Sequence, residues 1–391
     1  MRIALFTDTY PPYINGVSTS CFNLATTLRE HGHYVLVVTP RYTDGKLEIK
    51  DDIILLPGLQ IKDEYGYRVT KIFDKKVTKV LKDRKIELIH NQTDFTAGVF
   101  ARIAAKRLKL PLVYTYHTSY EDYTYYVTKG IFDRMAKKIV RSYTKNIAAG
   151  AAGFITPSVK TKDFMRSVGH DIFINVIPTG IDFSIFEKDR IDQERVRAFK
   201  EEYGIDEDTK VVLILGRIAK EKSVDTSVKY FAKYVERHPE MKVKLLVVGD
   251  GPQRSEIELL THELHISHLS IFTGFVKAEE VPFYYHLGDV YNSASTTETQ
   301  GLTFMEAMAA RSIVLARFDD NLTNTIIDGQ TGFFFMDEES YLNKLDHIFK
   351  MKDEEKETII NNALQVIDQY SMDKFYARII EVYKRAVRNY W

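Results

Sequence analysis

The chain has 391 residues, 45% apolar and 28% charged, with equal numbers of acidic and basic side chains. Such a composition is that of a soluble globular protein, which excludes a disordered chain, and no apolar run is long enough for a transmembrane helix. The length is too great for one ordinary core and predicts two domains of roughly 150–200 residues.

Cys21 is the single cysteine, so no internal disulfide is possible and a reducing cytoplasm is expected. With Val17, Leu24 and Leu28 it recurs at helical spacing and reads as a small core residue. The amino-terminal MRIALFTDTY lacks the long apolar centre and cleavage site of a signal peptide. The zero net charge conceals an asymmetry: residues 1–180 hold 27 Lys and Arg against 17 Asp and Glu, and the remainder 27 against 37. One half is thereby suited to an anionic partner, unless both are simply solvated surfaces of opposite sign.

RIALFT (2–7) and YVLVVTP (34–40) read as buried strands around an amphipathic helix at 17–31 that Gly32 closes. IILLP (53–57), LIH (88–90), LVYTYH (112–117), GFITP (153–157) and INVIPTG (174–180) continue the strands, most of them separated by helical stretches. The pattern restarts with KVVLILGR (210–217), VKLLVVGDG (243–251), LSIFTGFV (269–276), VYNSAS (290–295) and SIVLAR (312–317). This β-α-β alternation predicts an α/β chain of two Rossmann-like, doubly wound domains over 1–180 and 181–371. A ligand cleft is expected at the carboxyl ends of their strands. Residues 372–391 form a final helix with Phe375, Ile379, Val382 and Ala386 on one face, expected to pack back on the first domain.

The chemistry gathers at strand ends. After the first strand, Asn15-Gly16 precedes a helix; Gly16 lets backbone N–H groups approach a phosphate, though an Asn-Gly there is also an ordinary cap. Neither G-x-G-x-x-G after this strand nor G-x-x-x-x-G-K-[ST] is present. In GRIAKEKS (216–223), Arg217 and Lys222 form a candidate clamp for a diphosphate, the alternative being surface charge on a loop. TTETQGLTFMEAMAA (296–310) predicts a helix from about Gly301, apolar on every side, with free N–H groups at Gly301, Leu302 and Thr303. Glu298 precedes this helix. Glu306 lies too deep to be a cap, where a carboxylate needs a partner: the vicinal hydroxyls of a ribose, or internally a buried Arg or a backbone donor.

Glu298 and Glu306, with seven residues between them, and VIPTGID, GRIAKEKSVD, VVGDGP and FTGFV in that order before them, resemble the GT4 family of retaining glycosyltransferases. The resemblance spans nearly the whole chain and implies the GT-B fold, two Rossmann-like domains facing across a cleft with the donor held mainly by the second. By position, Arg217, Lys222 and the amides at Gly301 and Leu302 would bind the nucleotide diphosphate, Glu298 the sugar hydroxyls and Glu306 the ribose. Gly16 would meet the phosphate, Phe275 and Val276 would flank the base, and His117 would sit beside sugar and acceptor. His117, Glu298, Arg217 and Lys222 would form the catalytic set, with no metal and no cofactor beyond a UDP-sugar substrate.

FTDTYPPYINGVSTS and YTYHTSYEDYTYYV are most similar to segments of the bacterial diacylglycerol α-glucosyltransferases of that family. This implies transfer of a hexose, glucose by expectation, to diacylglycerol with retention, in glycolipid synthesis. The alternatives are a soluble, polysaccharide or other lipid acceptor, a sugar-nucleotide epimerase, or a non-catalytic scaffold on the membrane. In GIFDRMAKKIVRSYTKN (130–146), Arg134, Lys138, Arg141 and Lys145 share a helical face beside Lys137, a basic helix suited to anionic lipid or an ordinary solvated one. TKIFDKKVTKVLKDRK (70–85) has a similar composition. The expected location is cytoplasmic and peripheral on the inner face of the membrane, with no nucleic-acid partner. Arg311, Ile313 and Asp320-Asn321 depart from the family's usual Gly, Pro and Gly-Gly, and Asn15 replaces a common Gly; Asn tolerates left-handed backbone, so the turn at Asp320-Asn321 is expected to survive.

Overall fold

The computed structural model of the chain describes residues 1–13, 15–60, 68–117, 150–167, 169, 172–298 and 300–390. It divides into two compact units, Met1–Gly180 with Met372–Trp391, and Ile181–Ser371.

The first unit runs β1 (Arg2–Phe6), α1 (Gly16–Glu30), β2 (Tyr34–Pro40), β3 (Glu48–Ile49), β4 (Ile53–Leu56), β5 (Gly58–Gln60), β6 (Arg68–Thr70), α2 (Lys75–Asp83), β7 (Leu88–Asn91), α3 (Thr96–Leu108), β8 (Leu112–Thr115), β9 (Gly153–Thr156), α4 (Val159–Ser167) and β10 (Ile174–Val176). Its sheet is ordered β10-β9-β8-β7-β1-β2-β4-β3, parallel except at the short edge strand β3. Alternate residues of β1 and β2 feed opposite faces: Ile3, Leu5, Val35 and Val37 join one apolar cluster, and Ala4, Phe6, Leu36 and Val38 the other. Both faces of the sheet are therefore covered, as helical crossovers require of parallel strands. Cys21 is buried on α1, and burial pushes its thiol up to about 12, which suits a core residue and not a nucleophile.

The second unit continues with α5 (Gln193–Glu202), β11 (Lys210–Leu215), α6 (Val224–Arg237), β12 (Val243–Val248), α7 (Arg254–Glu263), β13 (Ser270–Gly274), α8 (Val281–Tyr285), β14 (Val290–Ser293), α9 (Leu302–Ala309), β15 (Ile313–Arg317), β16 (Phe333–Phe335), α10 (Glu338–Lys350) and α11 (Asp353–Ile367). Its wholly parallel sheet is ordered β13-β12-β11-β14-β15-β16. Counted within the unit this is 3-2-1-4-5-6, the Rossmann order.

The last helix, α12 (Met372–Tyr390), returns to the first unit. Phe375, Ile379, Val382, Tyr383 and Ala386 are buried in the same cluster as Val113 and Ile155. The larger of these side chains contribute about 1.5–3 kcal/mol each by leaving water.

Several features differ from expectation. The stretch 70–85 begins as the end of β6, and its helix covers only Lys75–Asp83, where Asp74 caps the first turn by accepting from the Lys76 and Val77 amides. Short strands β3, β5, β6 and β16 were not legible as such. Arg311 adopts a left-handed φ of +66°, so the helix ends as the usual glycine would end it, at a steric cost. Asn321 does not take left-handed backbone. Asp319 accepts from its amide and closes a 3-10 turn over Asp320–Leu322, which removes the need for a glycine.

Candidate active site

In the second unit the crossovers reverse direction between β11 and β14, which pair in parallel. The loops leaving their carboxyl ends therefore diverge from a common crevice, where such sheets bind ligands. The loop after β11 carries Gly216, Arg217 and the 3-10 turn Lys220–Lys222, and Ser223 at φ +48° redirects the chain into α6. The loop after β14 carries Glu298. Lys222 Nζ donates to Glu298 Oε1 at 2.7 Å, so residues 76 positions apart meet at this crevice. Glu298 is nearly buried, and its backbone is fixed at both ends: its N–H donates to Asp319 Oδ2, and its carbonyl accepts from Asn321 Nδ2.

The glycines of VVGDGP have a distinct structural task. A Cβ on Gly249, whose φ is +133°, would lie 2.0 Å from the Gly216 carbonyl oxygen, and one on Gly251 2.3 Å from that of Ile218. The two loops are in backbone contact, with the Ile218 amide donating to the Asp250 carbonyl. The residues on either side of Arg217 are thereby held.

Gly301, at φ +72°, turns the chain into α9, which has no side-chain cap. Among the described residues the amides of Gly301, Leu302 and Thr303 make no hydrogen bond, so this helix end offers donors and a favourable dipole to an anion. Phe304, Met305, Ala307, Met308 and Ala309 are buried as the all-apolar pattern predicts. Glu306 finds its partner in a tyrosine from α8: Tyr285 Oη donates to Glu306 Oε2 at 2.9 Å and lies 3.1 Å from the Thr303 carbonyl. Burial pushes the Glu306 carboxyl up, and the Tyr285 bond offsets this in part.

Phe275 and Val276, grouped as neighbours of a base, behave differently. Phe275 is 63% exposed just beyond β13, whereas Val276 packs against the core. Of the two, only Phe275 presents an exposed aromatic side chain.

In the first unit the strand order reverses between β1 and β7. The loop after β1 ends at Asn15, whose Oδ1 accepts from the Ser18 amide at 2.8 Å, and Gly16 is the exposed first residue of α1. Asn15 is thus the helix cap. His117 lies just beyond β8, and its Nε2 is 2.7 Å from Gln92 Oε1, just beyond β7. Burial lowers the His117 pKa to about 4, so the ring is neutral at physiological pH. The basic residues Arg134, Lys137, Lys138, Arg141 and Lys145 lie outside the described residues. The residues that sequence reasoning missed are Tyr285, Asp319, Asn321 and Gln92. The alternation His90-x-Gln92 on one strand and Thr115-x-His117 on the next was the available signal for the last of these.

The two Rossmann-like units, with a cation-lined switch point and an open helix end in the second, define a GT-B glycosyltransferase. A fold of this kind is found in Anabaena HepE in complex with UDP-glucose, at TM-score 0.75 and 17% identity over 98% of this chain and 99% of that one. A sucrose-phosphate synthase from Thermosynechococcus elongatus matches at TM-score 0.75 and 20% identity, over 98% of each chain. The model of glycosyl transferases group 1 matches residues 196–366, and that of Glycosyltransferase Family 4 matches residues 14–184. An α-monoglucosyldiacylglycerol synthase from Acholeplasma laidlawii is 37% identical, covering 89% of this chain and 88% of its own. One from Streptococcus pneumoniae is 34% identical, covering 99% and 86%. The chain belongs to glycosyltransferase family 4, together with these glycolipid synthases.

Proposed function

We propose that the protein transfers glucose from UDP-glucose to diacylglycerol with retention of the α configuration, making the first sugar linkage of a membrane glycolipid. The observation that carries this reading is the Lys222–Glu298 contact at the β11/β14 switch point, between the loop that also carries Arg217 and the loop that leads into the open N-terminus of α9. A nucleotide diphosphate leaving group needs that chemistry. Arg217 supplies a planar fork, Lys222 a point charge and the Gly301 and Leu302 amides fixed dipoles, all preorganised for charge that develops as the glycosidic bond breaks. Glu298 would exchange its lysine bond for sugar hydroxyls, and Glu306 would hold the ribose. Gly16 would approach the phosphate from the first unit, Phe275 would stack on the base, and His117 would meet the sugar and the acceptor.

In this reading the nucleotide sugar is a substrate, and cations of the chain meet the leaving charge in place of a resident metal. Glucose, diacylglycerol and the α linkage are supported by the names of the two relatives more than one third identical.

Peripheral binding to an anionic membrane is part of the same proposal. Among the described residues no helix is long and apolar enough to cross a membrane. Lys75, Lys76, Lys79 and Lys82 of α2 are exposed, while Val77 and Leu81 are spent on the core. Contact there would be electrostatic, about 1 kcal/mol per lysine near the surface. The basic helix read at 130–146, with Lys137 and Lys138, would add to it.

The test is a donor-by-acceptor screen in vesicles with and without anionic lipid, with chelator present, reading products by mass. Hexosyl-diacylglycerol from UDP-glucose is the expected product. Transfer only to a soluble acceptor, or donor conversion without an acceptor, would replace this reading with a different transferase or an epimerase.

A further inference from the structure

His117 is joined to the C-terminal helix by an unbroken line of hydrogen bonds. Its Nε2 is 2.7 Å from Gln92 Oε1, Gln92 Nε2 is 2.9 Å from His90 Nε2, and His90 Nδ1 is 2.6 Å from Tyr383 Oη on α12. Thr115 Oγ1 also reaches His90 Nε2, at 2.7 Å. Strand periodicity explains how the line forms. His90 and Gln92 share one face at the end of β7, Thr115 and His117 share the matching face at the end of β8, and the parallel register places His90 beside Val113. Helix α12 covers that face and brings Tyr383 to it.

The roles of the atoms follow in order. An amide N–H of Gln92 on His90 Nε2 requires that nitrogen to be an acceptor, so His90 carries its proton on Nδ1 and donates to Tyr383. The Gln92 oxygen can only accept, so His117 Nε2 must carry the proton, leaving Nδ1 of His117 with a lone pair. The line is uncharged, because burial holds His90 far below the usual imidazole range and Tyr383 above the usual phenol range.

We infer that Gln92, His90 and Tyr383 are positioning residues that lock His117 in the Nε2–H tautomer, so that its Nδ1 is a dedicated acceptor for a substrate hydroxyl. The inference rests on the reading of His117 as the group beside sugar and acceptor. It adds a selection by chemical class: a neutral imidazole with only a lone pair to offer binds a group that donates, a hydroxyl, and not a carboxylate or carbonyl oxygen. It also makes the last helix of the chain part of the site.

The test reads tautomers and turnover together. Long-range ¹H–¹⁵N spectra of the ¹⁵N-histidine-labelled full chain at pH 8, with His90 and His117 assigned by substitution, should show His117 as Nε2–H and His90 as Nδ1–H. Gln92→Leu should convert the His117 signal to a tautomer mixture and lower kcat about tenfold or more, with donor KM unchanged within about twofold. Gln92→Glu keeps the acceptor for His117 but loses the donor to His90; it should keep His117 as Nε2–H and turn His90 to Nε2–H. Tyr383→Phe should likewise release His90 from the Nδ1–H form. A wild-type His117 in the Nδ1–H form, or an unchanged His117 signal in Gln92→Leu with an unaltered melting temperature, would overturn the inference. If the tautomers respond as stated but kcat does not, and His117→Ala is fully active, the role of His117 in transfer fails while the positioning chain stands.

Discussion

Lys222 donates to Glu298 across 2.7 Å, joining the loop after β11 to the loop after β14 at the point where the strand order of the second unit reverses. Both residues are assigned to the donor, one to its diphosphate and one to its sugar, so the pair holds in place two groups that the substrate would engage together. Lys222→Ala also leaves a nearly buried carboxylate without its cation. Each single alanine substitution should lower kcat/KM by about 10²-fold or more. The double substitution should fall well short of the product of the two losses, because residues that act as one unit are non-additive. A fully multiplicative double-mutant cycle would show that the contact has no part in donor use.

Glu306 should weigh against stability while serving the nucleotide. Its folded-state pKa is raised by burial, so the folded chain holds the proton more tightly than the unfolded one. Stability from this group therefore falls as pH rises from the usual carboxylate range through the raised value. Glu306→Gln should be more stable than the parent at pH 7, with the difference shrinking toward pH 4.5, and should bind UDP about tenfold more weakly or worse. Calorimetric melting across that range with a UDP titration checks both.

His117 and His90 titrate in the opposite sense. Both are held neutral by burial, His117 down to about 4. Their contribution is fully present above the unfolded value near 6.5 and is lost as pH falls toward the folded value. The parent should lose thermal stability between pH 6.5 and 4.5, and His117→Gln should lose less over the same window. Equal slopes for the two proteins would mean that His117 is not desolvated.

Gly249→Ala should disable the donor loop without touching a donor-binding side chain. The added methyl would lie 2.0 Å from the Gly216 oxygen, at a φ that L residues rarely adopt. The melting temperature should fall by several degrees, as a loss of about 1–3 kcal/mol implies, and donor KM should rise as the backbone beside Arg217 shifts. An unaltered KM in a folded variant would show that this packing does not position Arg217.

What was readable in the chain follows from periodicity. Largely buried strands such as Tyr34–Pro40 and Val243–Val248 were legible because parallel strands covered on both faces are nearly continuous apolar runs. Helix α12 was legible because Phe375, Ile379, Val382 and Ala386 recur at helical spacing. The pairwise partners were not legible. The Tyr285 hydroxyl reaches Glu306 from 21 residues away, and Tyr383 reaches His90 from 293. Such contacts depend on strand order, which local pattern does not specify. Asp319 shows the same limit: it caps the turn where the family usually has Gly-Gly, because a side-chain acceptor can replace backbone freedom.

The most direct measurement of the central claim is a single reaction. Full-length protein is given UDP-[¹³C]glucose and dioleoylglycerol in vesicles containing phosphatidylglycerol, and the lipid extract is read by mass and by the coupling constant of the anomeric proton. A monohexosyl-diacylglycerol with the small coupling of an α linkage is predicted, its formation slowed about 10²-fold or more by Lys222→Ala and independent of EDTA. A β-linked product, or glucose released to water or to a soluble acceptor with no lipid product, would contradict the account.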